Sequence, residues 1–383
     1  SVDDGAPPSV RYFPLPEGLT KMTNPSHPAP EDLGFSAHRL QAAYERLDQA
    51  AARGHIPASV LLVGRRGRFL APHAAGNARP DSVFLVASIT KPVTATAVML
   101  LVESGRLTLE QPVVEVIPEF RHDGKEDVRV WHLLTHTSGL PDMLPNNVAL
   151  RQAHASLSQF MQHIYQAELL FPPGTDVRYQ SCGFAVLGEM VERLSEMPLR
   201  DFLRRHLFVP IGMERSALGI RDELRPHLVE VALTASQTQG DWHWNSEYWR
   251  QLGVPWGGMF STARDLGRFL QMFLDRGRVE GDVILSPATV EAMTRDQLAG
   301  RPSLPPAARL PTSWGLGWAV PGRYAGDLIS PGTFGHGGAT GTMAWADPVR
   351  QVTCVLLTNQ PGVWQQDGRF LAQMSNLVAA ACL

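Results

Sequence analysis

Strand patterns lie near the two ends of this chain, and helical patterns fill the long stretch between them. Near the start, Ser59 to Val63 and Arg68 to Pro72 flank Gly64-Arg65-Arg66-Gly67, which predicts a β-hairpin. Near the other end, Thr340 to Ala346 and Gln351 to Thr358 flank Asp347-Pro348 and predict a second. A helix is expected before the first pair, capped by Ser36, with Leu40, Ala43, Tyr44, Leu47 and Ala51 at helical spacing and Gly54 past its end. Another closes the chain from about Trp364 to Ala381. Between them, Ser88 to Ser104, Gly183 to Ser195 and Thr262 to Asp275 read as helices, the last opened by a variant capping box, Thr262-Ala263-Arg264-Asp265. The distribution implies an α+β fold, in which both ends build one antiparallel sheet with flanking terminal helices and the middle forms an inserted, mostly helical lobe. Residues 1–30, with seven prolines, read as an extended arm, and 31–383 as a single domain. Its sheet lobe spans about 31–87 and 325–383, and its helical lobe about 88–324. A cleft between lobes is a natural place for a site.

Composition narrows the function class. Apolar residues at 44% and charged residues at 19% are globular values. A net charge of −3 with scattered basic residues leaves no footprint for nucleic acid. The longest greasy stretch, Val93 to Val102, is too short to span a membrane. Cys182, Cys354 and Cys382 are odd in number and widely spaced, which argues against a disulfide framework and a cysteine zinc site. His132 and His136 lack the glutamate of a zinc-protease helix and read as residues of a turn. No metal or cofactor is expected. Compartment and oligomeric state stay open: the start of the chain lacks a secretory pattern, yet a leader removed beforehand would leave the same sequence.

One motif carries chemistry. Only three lysines occur among 34 basic residues, and Lys91 stands three places after Ser88 at a helix start; with 22 serines in 383 residues, chance supplies about 0.17 such matches. Three residues is nearly one helical turn, so hydroxyl and amine share a face. A desolvated lysine can act as a base where arginine cannot, and the helix N-terminus favours an oxyanion. Pro92 falls in the first turn, where its missing N–H costs little. Lys21 and Lys125 sit in segments that read as solvated loops. Asp265, Arg264, Glu189 and Glu192 read as capping residues and solvated helix faces. No Gly-x-Ser-x-Gly elbow occurs.

Two further segments extend the pattern: Arg178-Tyr179-Gln180-Ser181-Cys182-Gly183 before a helix, and Gly335-His336-Gly337-Gly338-Ala339-Thr340-Gly341 leading into the last strands. With Ser88 and Lys91 they resemble the serine β-lactamase and penicillin-binding-protein superfamily, in the branch of class C β-lactamases, family VIII carboxylesterases, D-aminopeptidases and DD-peptidases. The resemblance runs from about Leu33 to the C-terminus. It includes Leu133 to Leu140, Pro210-Ile211-Gly212-Met213, Trp256 to Thr262 and Trp314-Gly315-Leu316-Gly317-Trp318. It implies Ser88 as acylated nucleophile, Lys91 as proton acceptor, and Tyr179 in the proton network serving the leaving group. It also implies an oxyanion hole from the backbone N–H groups of Ser88 and Ala339, beside an edge strand holding His336, Gly337 and Gly338.

The departures bear on substrate. His336-Gly337-Gly338 stands where Lys-Thr-Gly is usual, which removes a fixed positive charge, and Tyr179-Gln180-Ser181 replaces Tyr-x-Asn, which puts a hydroxyl where an amide would hold the substrate. Both changes favour an ester. The expected activity is a metal-independent serine hydrolase, most simply a carboxylesterase on short or medium acyl esters. A D-amino-acid peptidase or amidase, a weak β-lactamase, and a non-catalytic binding or assembly protein on the same fold are the rivals. Trp242, Trp244, Trp249 and Trp256 form no helical stripe, and two readings stay open for them: lining of an acyl or alcohol pocket, or cover for the helical lobe. For His336, substrate contact and a bond to backbone are both open.

Overall fold

The structure is a computed structural model that describes residues 27–305, 313–321 and 325–383. The expected Pro-rich arm and Lys21 therefore fall almost wholly outside the described residues. The strands in chain order are β1 (Ala58–Arg65), β2 (Arg68–Phe69), β3 (His73–Gly76), β4 (Phe84–Leu85), β5 (Ala217–Leu218), β6 (Met259–Ser261), β7 (Arg278–Val279), β8 (Asp282–Val283), β9 (Ser313–Trp314), β10 (Ala319–Val320), β11 (Phe334–Gly338), β12 (Thr342–Asp347) and β13 (Val352–Thr358). The main sheet runs β2-β1-β13-β12-β11-β10-β9, with β3 also paired to β1. Its centre joins the two ends of the chain: β1 and β13 are antiparallel from Ser59 opposite Thr358 to Arg65 opposite Val352.

Alternation along the strands explains why both faces of this sheet are covered. Val60 and Leu62 of β1, Ala344 and Ala346 of β12, and Val355 and Leu357 of β13 point into the larger core. Their neighbours Leu61, Val63, Met343, Trp345, Cys354 and Leu356 point into a second core on the opposite face. That second core is closed by α1 (Ala37–Ala52), whose Ser36 cap accepts from the Arg39 N–H, and by the last helix (Gln365–Ala381). Trp345 donates its indole N–H to Ser375 Oγ at 3.1 Å, and Phe35 bridges to Cys382. The other face carries the helical lobe.

The remaining helices are α2 (Thr90–Glu103), α3 (Val130–Leu134), α4 (Asn147–Gln152), α5 (Leu157–Gln166), α6 (Cys182–Ser195), α7 (Leu199–Leu203), α8 (Glu247–Leu252), α9 (Ala263–Leu274) and α10 (Pro287–Thr294), so the closing helix is α11. Thr262 caps α9 by accepting from the Asp265 N–H at 3.1 Å, but only this half of the expected box forms, because the Asp265 carboxylate turns to Ser216 and Arg215. The helix lies on β1, β12 and β13. A three-stranded sheet, β4-β6-β5, was not anticipated, because its strands have only two or three residues each and show no period. Among the described residues, no helix is long and apolar enough to cross a membrane.

Two expectations fail on burial. Lys125 is fully buried, and its Nζ donates to the Ala167 carbonyl at 2.6 Å, so its loop is packed rather than solvated. Asp265 is buried too, its carboxylate accepting from Ser216 Oγ and the Arg215 N–H, both at 2.8 Å, and burial pushes it up to about 6. Glu189 is also engaged, accepting from Tyr165 and Arg193. The first hairpin is tighter than expected, its second strand ending at Phe69, and β11 precedes the expected C-terminal pair as a third antiparallel strand.

Candidate active site

Ser88 sits in a single 3₁₀ turn, Ala87–Ile89, that feeds directly into α2. The preceding Ala87 has φ +47°, a left-handed conformation that costs an alanine about 1–2 kcal/mol and persists only when its surroundings fix it. Here they do. The Val86 N–H donates to Met259 O at 3.0 Å, and Thr342 Oγ1 donates to Val86 O at 2.9 Å. Thr90 Oγ1 donates to Ala87 O at 2.6 Å while accepting from the Met259 N–H at 3.0 Å, and Thr340 Oγ1 donates to Leu85 O at 2.6 Å. The turn is thus clamped between β6 and the β11–β12 hairpin, with Ser88 left partly exposed.

Lys91 is fully buried, with Nζ 3.1 Å from Ser88 Oγ and donating to the Trp256 carbonyl at 3.0 Å. Burial pushes its pKa down to about 7, against an opposing pull from Asp142. Nζ lies 4.6 Å from the centre of the Tyr179 ring, which also favours the ammonium, but desolvation wins. Tyr179 is packed among rings: His136 stacks on it at 4.7 Å, Trp314 lies at 5.8 Å and His336 at 6.1 Å. Both imidazoles are neutral. His136 is held well below its usual range and His336 is pushed down to about 3, in each case by burial first and then by the Lys91 charge. His136 Nδ1 accepts from the Gln180 N–H, whereas His336 Nδ1 lies 2.7 Å from the Gly337 carbonyl, so backbone contacts select opposite tautomers.

β11 pairs with β12 along its whole length but with β10 only at Gly335, so it is interior there and an open edge from His336 to Gly338. A Cβ on Gly338 would stand 2.1 Å from Val86 O and 2.2 Å from Thr342 Oγ1; glycine alone lets this strand approach the Ser88 turn. Ala339 follows in an exposed turn. His336 is buried, and its Nε2 finds no partner among the described residues.

The segment after Tyr179 is spoken for. Gln180 is buried, accepting from Ser138 Oγ and donating to Leu133 O, and Ser181 Oγ donates to Asp142 Oδ1 at 2.7 Å. Asp142, Met143, Asn147, Phe160, Ser181 and Trp256 line a small cavity beside Lys91. Of the four tryptophans, Trp256 thus reaches the site, by ring and by carbonyl. Trp242 and Trp249 instead turn their faces to Arg151, whose guanidinium carbon is 4.6 and 4.4 Å from their ring centres. Trp244 packs half-buried against the larger core. Sequence reasoning passed over His136, Trp314 and Asp142 as walls of the site. His136 and Trp314 lay within phrases already quoted, Leu133 to Leu140 and Trp314 to Trp318, and were the available signal.

This arrangement, a serine on a clamped turn with a buried lysine one helical turn on, defines the class, and comparison with known proteins agrees. Residues 43–373 match the Beta-lactamase family, and the chain belongs to that family. It is 33% identical over 332 residues to penicillin-binding protein 4 of Amycolatopsis lactamdurans, covering 82% of this chain and 84% of that protein. A penicillin-binding protein homolog from Caulobacter crescentus superposes with TM-score 0.75 at 25% identity, covering 91% of this chain and 99% of the other. A family VIII carboxylesterase shares the fold with TM-score 0.71 at 20% identity, over 89% and 97%. The fold is that of the β-lactamases and transpeptidases, mixed α+β, and the chain is a hydrolase of that serine family.

Proposed function

We propose that this protein is a carboxylesterase that acts on short or medium acyl esters through an acyl-enzyme on Ser88. The observation that carries the reading is the buried Lys91 amine, 3.1 Å from Ser88 Oγ and pushed down to about 7, which is the condition for a lysine base at neutral pH. Ser88 Oγ attacks the ester carbonyl carbon as its proton passes to Lys91 Nζ. The tetrahedral oxyanion is met by the backbone N–H groups of Ser88 and Ala339. Collapse breaks the bond to the alcohol oxygen, which leaves with a proton delivered through Tyr179. Water then attacks the acyl carbon, gives its proton to the same network, and Ser88 is released.

Two features favour an ester over an amide or a lactam. His336 is neutral and buried, so it offers no charge for a lactam carboxylate, and the Ser181 hydroxyl is turned to Asp142 rather than offered to a substrate carbonyl. The penicillin-binding-protein relative at 33% identity supports the second reading, a D-amino-acid peptidase or weak β-lactamase. Turnover of 4-nitrophenyl butyrate, a chromogenic cephalosporin and D-alanine 4-nitroanilide separates them. The ester should be hydrolysed with kcat/KM at least about a hundredfold above the other two. Preferred turnover of the anilide or the cephalosporin would refute the esterase.

A further inference from the structure

We propose that Arg151, held between Trp242 and Trp249, is an anion subsite of the acyl pocket, and that favoured substrates carry a carboxylate at the far end of the acyl chain. This rests on the acyl-enzyme reading of Ser88 and adds a substrate class to it.

Arg151 is 6% exposed, yet none of the ion pairs among the described residues involves it. A guanidinium offers five N–H donors. The acceptor found here is the Met143 thioether, 3.6 Å from Nη2 and a weak one, while Nε is buried with none. The indole N–H groups of Trp242 and Trp249, the rings packed against it, are buried without acceptors as well. Every unmatched group in this cluster is a donor. The missing component is therefore an acceptor, and beside an unpaired guanidinium it is an anionic one.

The cluster adjoins the small cavity that Trp256 connects to Lys91. Asn147 lines the small cavity with Asp142, Ser181 and Trp256, and Arg151 lies four residues on, one turn along the same face of α4. Met143, which touches Arg151, lines the cavity too. At the other end, Trp256 gives its carbonyl to Lys91. The Asp142 carboxylate, which accepts from Ser181 Oγ and also attracts the Arg151 guanidinium from a distance, disfavours an anion close to Ser181, whereas at Arg151 the open N–H donors outweigh it. Planar guanidinium geometry matches a carboxylate, and two indoles set edge-to-face at 76° hold the arginine in their corner.

The test compares 4-nitrophenyl half-esters of linear dicarboxylic acids, adipate to sebacate, with neutral 4-nitrophenyl alkanoates of equal length, each rate corrected for spontaneous hydrolysis. For at least one chain length, the wild type should prefer the anionic ester by about ten- to a hundredfold in kcat/KM. Arg151→Gln should bring that ratio close to one, and Arg151→Lys should keep part of it. No preference at any length would overturn the proposal, as would a ratio unchanged in Arg151→Gln, which would mean that the residue only cements the tryptophans. Should Ser88 fail to acylate at all, the esterase reading falls separately. Sebacate quenching of tryptophan fluorescence in the wild type but not in Arg151→Gln would still support the subsite, and no quenching would overturn it.

Discussion

At the scale of single residues, the proposed chemistry turns on Lys91. Its depressed pKa leaves the amine neutral above about 7, and the proposed role as base uses that neutral form, so activity should rise with pH. The kcat/KM for a neutral ester should climb about tenfold per pH unit below that point and level off above it. His136 and His336, both neutral around pH 7, add no second limb there. Lys91→Arg keeps the charge and loses the base, and should cost roughly 10²- to 10⁴-fold in kcat while the protein stays folded, read by circular dichroism. Ser88 and Lys91 were legible because one helical turn fixes their relation locally. Burial of Lys125 and Asp265 was not, since it depends on what the rest of the chain lays over them: Ala167 in one case, Ser216 and Arg215 in the other.

At the scale of elements, the site depends on how closely β11 approaches the Ser88 turn. Gly338→Ala would place a methyl carbon 2.1 Å from Val86 O and must push the strand away. Losing one oxyanion donor costs about 10²- to 10³-fold in rate, so this variant should lose at least about tenfold in kcat on 4-nitrophenyl butyrate, with little change in KM. A larger change in KM than in kcat would move Gly338 from the reacting carbonyl to the substrate's periphery. The caps at Ser36 and Thr262 could be read directly, because cap chemistry involves neighbouring residues only. The β4-β6-β5 sheet could not: its short strands are defined by partners more than forty residues away, such as Leu85 opposite Phe260.

At the scale of the whole molecule, one sheet built from both ends separates two cores, and Ser88 and Lys91 lie on the helical side. Trp345 belongs to the opposite core, fully packed beneath α11 and bonded to Ser375. Trp345→Ala should destabilise the fold by roughly 3–5 kcal/mol in urea denaturation, while folded protein should keep whatever rate the wild type shows on 4-nitrophenyl butyrate, since the residue faces away from Ser88. The meeting of the two ends was legible from strand patterns at both ends with helices between, whereas the division of the apolar runs of β1 and β13 between two cores shows only in the packing. The placement of Arg151 against Trp242 and Trp249 was not legible, because two segments some ninety residues apart in sequence come together there. The proposed acyl transfer rests on Ser88 as nucleophile. Intact-mass measurement after incubation with a fluorophosphonate tests this most directly. One adduct should form, mapped to Ser88 and absent in Ser88→Ala; an unmodified protein, or an adduct persisting in Ser88→Ala, would contradict it.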